Sequence, residues 1–186
     1  MPTRTSPEQL DRERQALLDA AESLFYERGI QAVGMDAVRA ASGISLKRIY
    51  GLFPTKEDLV VAVLKRRDLR WRSSVVEYVR RYDQPRERVL ALFDWLERWF
   101  AEPEFRGCAW INVYGELGSA SPAILAEVRS HKDAFHRQIA TWANDVGDGL
   151  AVPLCLLAEG AIVMASIQGG VAVARDARTA ARALMD

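Results

Sequence analysis

Apolar residues recur three and four positions apart through most of this chain, and the breaks between runs carry glycine, proline or a capping side chain. From Gln15 to Arg28, Leu17, Ala21, Leu24 and Phe25 share one helix face, and Gly29 stands where that helix stops. Val38 and Ala41 mark the inward face of a short second helix, which Gly43 ends in a left-handed residue. Ser45 then offers a hydroxyl to cap a third helix. There Leu46, Ile49 and Phe53 recur at helical spacing, which turns Lys47, Arg48, Tyr50 and Gly51 outward, and Pro54 ends the run. Thr55 and Asp58 fit a capping box, so a long helix begins at about Lys56 and reaches about Arg81. Its cations Lys65, Arg66, Arg67, Arg70 and Arg72 read as a solvated face. Asp83 and Pro85 open the next helix with a cap and an early proline; Leu92, Trp95, Leu96 and Trp99 form its stripe, and Pro103 marks its end. The pattern is all-α.

The stretch from Gly34 to Phe53 is a helix, a tight turn and a second helix with outward cations, which is a helix-turn-helix. An α-helix fits the major groove and its side chains reach base edges, so this arrangement points to DNA reading. The residues around it, Ala20-Ala21-x-x-Leu24-Phe25-x-x-x-Gly29, Met35-Asp36-x-Val38, Ala41-x-Gly43-Ile44-Ser45, Ile49-Tyr50-x-x-Phe53 and Thr55-Lys56-Glu57-x-Leu59, resemble the N-terminal domain of the tetracycline-repressor (TetR) family of transcriptional regulators. The resemblance covers about the first third of the chain; beyond it only the all-helical plan carries over.

The resemblance implies three parts: a flexible N-terminal arm over residues 1–10, a three-helix DNA-binding domain over 11–71 with its motif at 34–53, and a helical-bundle ligand-binding and dimerisation domain over 72–186. It places Gly34, Ser45, Leu46, Lys47, Arg48, Tyr50, Gly51 and Lys56 nearest a double-stranded operator. Lys47 and Arg48 would meet guanine acceptors or phosphates, and Tyr50 and Lys56 phosphates. Four positions depart from the family pattern. Gly34 brings no capping hydroxyl, Leu46 stands where a cation or polar residue is common, Lys47 replaces a commonly small residue, and Gly51 is an interior helix glycine, which either admits close approach to DNA or is merely tolerated. By the same resemblance, helices at about Pro122–Asn144 and Pro153–Arg175 pair with their copies in a homodimeric four-helix bundle. Ala158, Ala161, Ile162, Ala165 and Gly169 are its expected interface.

Composition narrows the function further. Lysine plus arginine and aspartate plus glutamate balance at 25 each in 186 residues, so no global field drives nonspecific nucleic-acid binding. Between Asp36 and Lys56, however, Arg39, Lys47, Arg48 and Lys56 face a single acid, so positive potential is local to the motif. The N-terminal residues offer no apolar secretion signal, and Cys108 and Cys155 are widely separated, which fits a cytoplasmic protein with free thiols. Leu150–Ala174 is apolar enough to suggest a membrane span, but Pro153, Glu159, Gln168 and the Gly169-Gly170 pair argue for a buried core helix instead.

No enzyme signature appears: there is no glycine-rich phosphate loop or nucleophile elbow, and His131 and His136 are five apart, not the four that align two metal ligands on a helix. No cofactor or metal is expected. The body is rich in large rings, and ligand pockets are mostly apolar with a few polar handles. Trp95, Trp99, Trp110, Tyr114, Phe135 and Met164, with Asn112, Glu116, His131 and Gln168 as handles, are the candidates for a small apolar or aromatic effector. The expected function is a homodimeric repressor released from a pseudo-palindromic operator by that effector. An activator, a ligand-independent regulator and an all-helical small-molecule carrier are the alternatives.

Overall fold

A proline at the first helical position and a serine before it start the chain's first helix earlier than the apolar pattern shows. In the computed structural model, which describes residues 6–118 and 120–186, α1 spans Pro7–Arg28; Ser6 caps it by accepting from the Gln9 N–H at 3.2 Å. The expected arm therefore shrinks: Pro7–Leu10 is helical, and residues 1–5 lie outside the described part. Helices α2 (Met35–Ser42), α3 (Leu46–Leu52) and α4 (Lys56–Val79) follow. Beyond them come α5 (Pro85–Phe100), α6 (Ala109–Leu117), α7 (Pro122–Asn144), α8 (Ala151–Gln168) and α9 (Ala172–Met185). Among the described residues there is no strand.

The backbone separates into two units, Met1–Arg67 with Asn112–Glu127, and Asp68–Ile111 with Val128–Asp186. The division falls inside α4, α6 and α7. In the N-terminal unit, Leu17, Ala21, Leu24 and Phe25 of α1, Val38 of α2, Ile49 and Phe53 of α3, and Leu59, Val60 and Val63 of α4 form the core. Ala41 is exposed, so Val38 alone anchors α2. The expected solvated cation face of α4 is largely engaged: Arg66 and Arg67 each donate to the buried Glu22 carboxylate at 2.9 Å. A buried carboxylate needs such compensation, and Glu22 lies on the α1 face that α4 covers. Farther along α4, Arg72 grips Asp68 through two nitrogens, at 2.8 and 2.6 Å.

The C-terminal unit packs α9 on α5 and α8. Ion pairs from Arg178 to Asp94 at 2.7 Å and from Arg175 to Glu97 at 2.9 Å fix α9 along α5. Two expectations are corrected here. The α5 N-cap is Gln84, not Asp83, and Pro85 occupies the first turn. The expected Pro153–Arg175 helix is two helices, because Gly169 and Gly170 both take positive φ, 74° and 84°, and break it.

Trp71 lies at the centre of the aromatic core. Its ring meets Trp95, Trp99, Phe135 and His131 edge-on at 5.0–5.4 Å. His131, 2% exposed, stacks on Trp110 with centroids 3.4 Å apart and pairs with Asp68 at 2.6 Å. Burial outweighs the attraction of Asp68 and lowers the imidazole from 6.5 to about 4. The folded ring is thus neutral between those values while the unfolded chain protonates. Stability should accordingly fall as pH drops from about 6.5 towards 4, by about 2 kcal/mol between pH 7 and pH 5. Urea unfolding at the two pH values checks this, and His131→Gln should remove most of the slope while lowering stability at pH 7.

Candidate nucleic-acid interface

The turn between α2 and α3 is built by local chemistry. Gly43 closes α2 in the left-handed region, φ 71°, and Ser45 caps α3 by accepting the Arg48 N–H at 3.3 Å. Ile49 is fully buried and Phe53, where α3 ends, is 3% exposed, so α3 lies on the core by two residues. Thr55 and Asp58 then exchange bonds at 3.0 Å in each direction, which starts α4 one residue after the turn.

Anchoring α3 through Ile49 leaves Lys47, Tyr50 and Gly51 exposed, with Tyr50 45% exposed, and Leu46 half-buried. A Cβ added at Gly51 or Gly34 would meet nothing within 4 Å, so no internal packing calls for glycine at either position. Gly34 is the α2 N-cap without a side-chain bond. Ser45 accepts at the α3 cap and retains its own O–H to donate.

Two expected DNA contacts are engaged elsewhere. Arg48 is half-buried and pairs through Nε with Glu13 of α1 at 2.5 Å, which lowers the Glu13 carboxyl from its ordinary value. Lys56 is half-buried and donates to the Ile30 carbonyl at 2.5 Å; burial lowers its ammonium despite the nearby Glu116 charge. Both long side chains thus have partners inside the N-terminal unit. Glu13 carried no sequence signal, since it stands 35 residues from Arg48.

The expected effector residues divide into three groups. Trp95, Trp99, Trp110, His131 and Phe135 come together around Trp71 in the C-terminal unit. Trp71 and Asp68 were the missed members; the spacing of Trp71, Val75 and Val79 along α4, all buried, was the available sign. Asn112, Tyr114 and Glu116 belong to the N-terminal unit, where Glu116 accepts the Gln31 N–H at 2.9 Å and its carbonyl accepts the Gln31 side chain at 2.7 Å. Tyr114 is exposed, and Met164 and Gln168 are exposed on α8, so these three do not join the ring cluster.

The expected subunit contact is also redrawn. Ala158, Ala161, Ile162 and Ala165 are buried within the chain, and Gly169 is exposed where α8 ends. Alanines at 158, 161 and 165, with Leu154 and Ile162, form the face that α8 packs on its own neighbours, and other large side chains point the other way. Val152, Leu156, Met164 and Ile167 are 69%, 69%, 45% and 77% exposed. Helix α8 is long and apolar enough to cross a membrane, yet only 28% of it is buried, not several sides as expected. Its Glu159 bonds Lys132 at 2.6 Å and His136 at 2.9 Å on α7. The two histidines thus pair with different carboxylates, and no group of three metal-ligating side chains gathers among the described residues.

Residues 17–63 match the model for bacterial regulatory proteins of the tetR family. The chain is 36% identical over 91 residues, 47% of its length and 42% of the other's, to the HTH-type transcriptional activator FasR of Mycolicibacterium smegmatis. It is 30% identical over 106 residues, 55% of its length and 51% of the other's, to the HTH-type transcriptional regulator BetI of Rhizobium meliloti. These matches span about half the length of those relatives. A solved TetR-family transcriptional regulator from Streptomyces coelicolor aligns over 94% of this chain and 95% of its own, with a TM-score of 0.86 and 26% identity. Another from Streptomyces avermitilis aligns over 91% and 97%, at 0.77 and 28%. The helix-turn-helix built on Ile49, the all-helical body and these likenesses agree: residues 17–63 form a domain of the tetR family of bacterial regulatory proteins, and the chain is similar along its length to solved TetR-family regulators.

Proposed function

We propose that this protein is a cytoplasmic, homodimeric, sequence-specific DNA-binding regulator that represses transcription and is released by a small aromatic effector. The observation that carries the DNA-binding role is α3, anchored by Ile49 and Phe53 so that Lys47, Tyr50 and Gly51 face outward together. Lys47 meets a base edge or phosphate, Tyr50 a phosphate, and Gly51 lets the backbone approach, with Gly34, Ser45 and Leu46 flanking the contact. We assign residues 11–71 to the DNA-reading domain and 72–186 to the body.

The dimer is supported by the outward face of α8. Val152 and Leu156, with Ala140 and Arg137 of α7, line a groove of about 440 Å³. That apolar strip, with Met164 and Ile167 farther along, suits the same strip on a second copy, since an isologous contact buries both at once. Effector control is supported by the ring cluster. The Trp71 and Trp110 indole N–H groups are buried without an acceptor, so a flat apolar molecule carrying an acceptor atom would satisfy a donor that the chain leaves open. Effector binding would favour a subunit arrangement whose two recognition helices no longer match two major grooves.

A second reading makes the protein an activator. It is favoured by the relative named a transcriptional activator, at 36% identity. The same α3 would then recruit transcription from a site upstream of a promoter.

Selection of bound fragments from genomic DNA tests the reading directly: the wild type should recover a two-fold site, and the Lys47→Ala, Tyr50→Ala double variant should not. Equal recovery by both would sink the DNA-reading assignment. Gly51→Ala should raise thermal stability slightly, by about 0.5–1 kcal/mol of helix propensity, while weakening operator binding; stronger binding would show that DNA does not approach there. Sedimentation velocity should find a dimer that Leu156→Asp with Ile167→Asp converts to folded monomer, with operator affinity lost in parallel.

A further inference from the structure

The recognition helix is held by two adjacent residues of α1. Near its N-terminal end, Glu13 takes the Arg48 guanidinium through Nε. Where α3 ends, the Arg14 guanidinium lies 4.5 Å above the Phe53 ring. The Glu13–Arg48 pair is partly shielded from water, at 25% and 33% side-chain exposure, and Glu13 is steadied by Gln9 at 3.2 Å. Arg48 Nη2 is buried without a partner, so this guanidinium is turned in towards the protein and away from any groove. Lys47, one position earlier, is exposed and enters no ion pair among the described residues.

A helix of seven residues with one fully buried side chain has freedom to rock about that anchor. A tie at each end removes it. Base readout needs donors placed within tenths of an ångström, whereas phosphate attraction tolerates rocking. A brace on α3 therefore acts on discrimination between sequences more than on total charge attraction.

We propose that Glu13 is a positioning residue for DNA reading: it holds Arg48 against α1, so that Arg48 sets the tilt of α3 and Lys47 and Tyr50 alone carry its side-chain contacts to DNA. This rests on the DNA-reading role given to α3 above. It moves Arg48 from reader to strut and gives α1, outside the motif, a part in specificity.

Salt dependence separates a strut from a contact, because each phosphate neutralised contributes about 0.9 to the slope of log affinity against log salt. Fluorescence anisotropy in a potassium chloride series would follow two duplexes: the two-fold site recovered by selection and a random sequence of equal length. Arg48→Ala should leave the random-duplex slope unchanged and lower the ratio of the two affinities by about ten-fold, the scale of one mismatched base pair. Glu13→Ala keeps Arg48 but frees it, and should steepen the slope by about 0.9 per head while lowering the same ratio. The exchange Glu13→Arg with Arg48→Glu should restore the ratio, which a general loss of stability would not allow.

A slope flattened by about 0.9 per head in Arg48→Ala would overturn the proposal, since Arg48 would then be touching phosphate. So would an unchanged ratio in Glu13→Ala. Should Arg48→Ala unfold the head by circular dichroism, Glu13→Ala and the exchange decide alone. Equal binding of both duplexes by the wild type would instead refute the DNA-reading role itself, a result distinct from failure of the brace.

Discussion

A seven-residue helix cannot persist in water by itself, because nucleation costs more than so few hydrogen bonds return. Everything about the N-terminal unit follows from having to present such a helix at the surface. Burial of Ile49 and Phe53 contributes about 1.5–3 kcal/mol for each side chain and sets which face is hidden. Gly43 and Ser45 satisfy the backbone where α2 stops and α3 starts, and Ser42 accepts the Ile44 N–H between them. The outward face is what remains after those demands are met. Lys47, Tyr50 and Gly51 are exposed because Ile49 is not.

The same logic, applied to charge, explains why α4 carries so many arginines. Glu22 is nearly buried on α1, and a lone carboxylate there would cost several kcal/mol. Arg66 and Arg67 neutralise it from consecutive positions, and Arg66 also reaches Asp19 at 2.8 Å. Farther along α4, Asp68 is shared between Arg72 and His131, and their hydrogen bonds hold its carboxyl below the usual range against the opposing effect of burial. In a run of cations that reads as a solvated surface, Arg66, Arg67 and Arg72 are, in the fold, internal ties.

How much of this could be read from residues alone depends on how far apart the partners are. Caps, turns and helix starts involve neighbours within four residues, so Gly43, Ser45 and the Thr55–Asp58 box were legible. Pairings such as Glu13–Arg48 and Asp68–His131 join residues 35 and 63 apart, and nothing local to either member announces the other. Periodicity also failed where it was most even. Helix α8 is apolar almost all round, so composition alone could not say which face the chain keeps and which it leaves outward. Packing decided it: alanines at 158, 161 and 165 admit close neighbours, and the larger Leu156 and Ile167 are left exposed.

That outcome bears on how the two faces of α8 were shaped together. A helix that leaves Val152, Leu156, Met164 and Ile167 outward presents apolar bulk to solvent, which a lone protomer in water does not favour. Glu159, bonded to Lys132 and His136, keeps a charge beside the strip without exposing it freely, so the strip stays apolar at its centre and polar at its border. An apolar centre with a polar border is how protein interfaces are generally composed. The closely packed inner face and the outward apolar face of α8 are therefore two consequences of one arrangement of side-chain sizes. A change of alanine to a larger residue on the inner face would tilt the strip as well as strain the core.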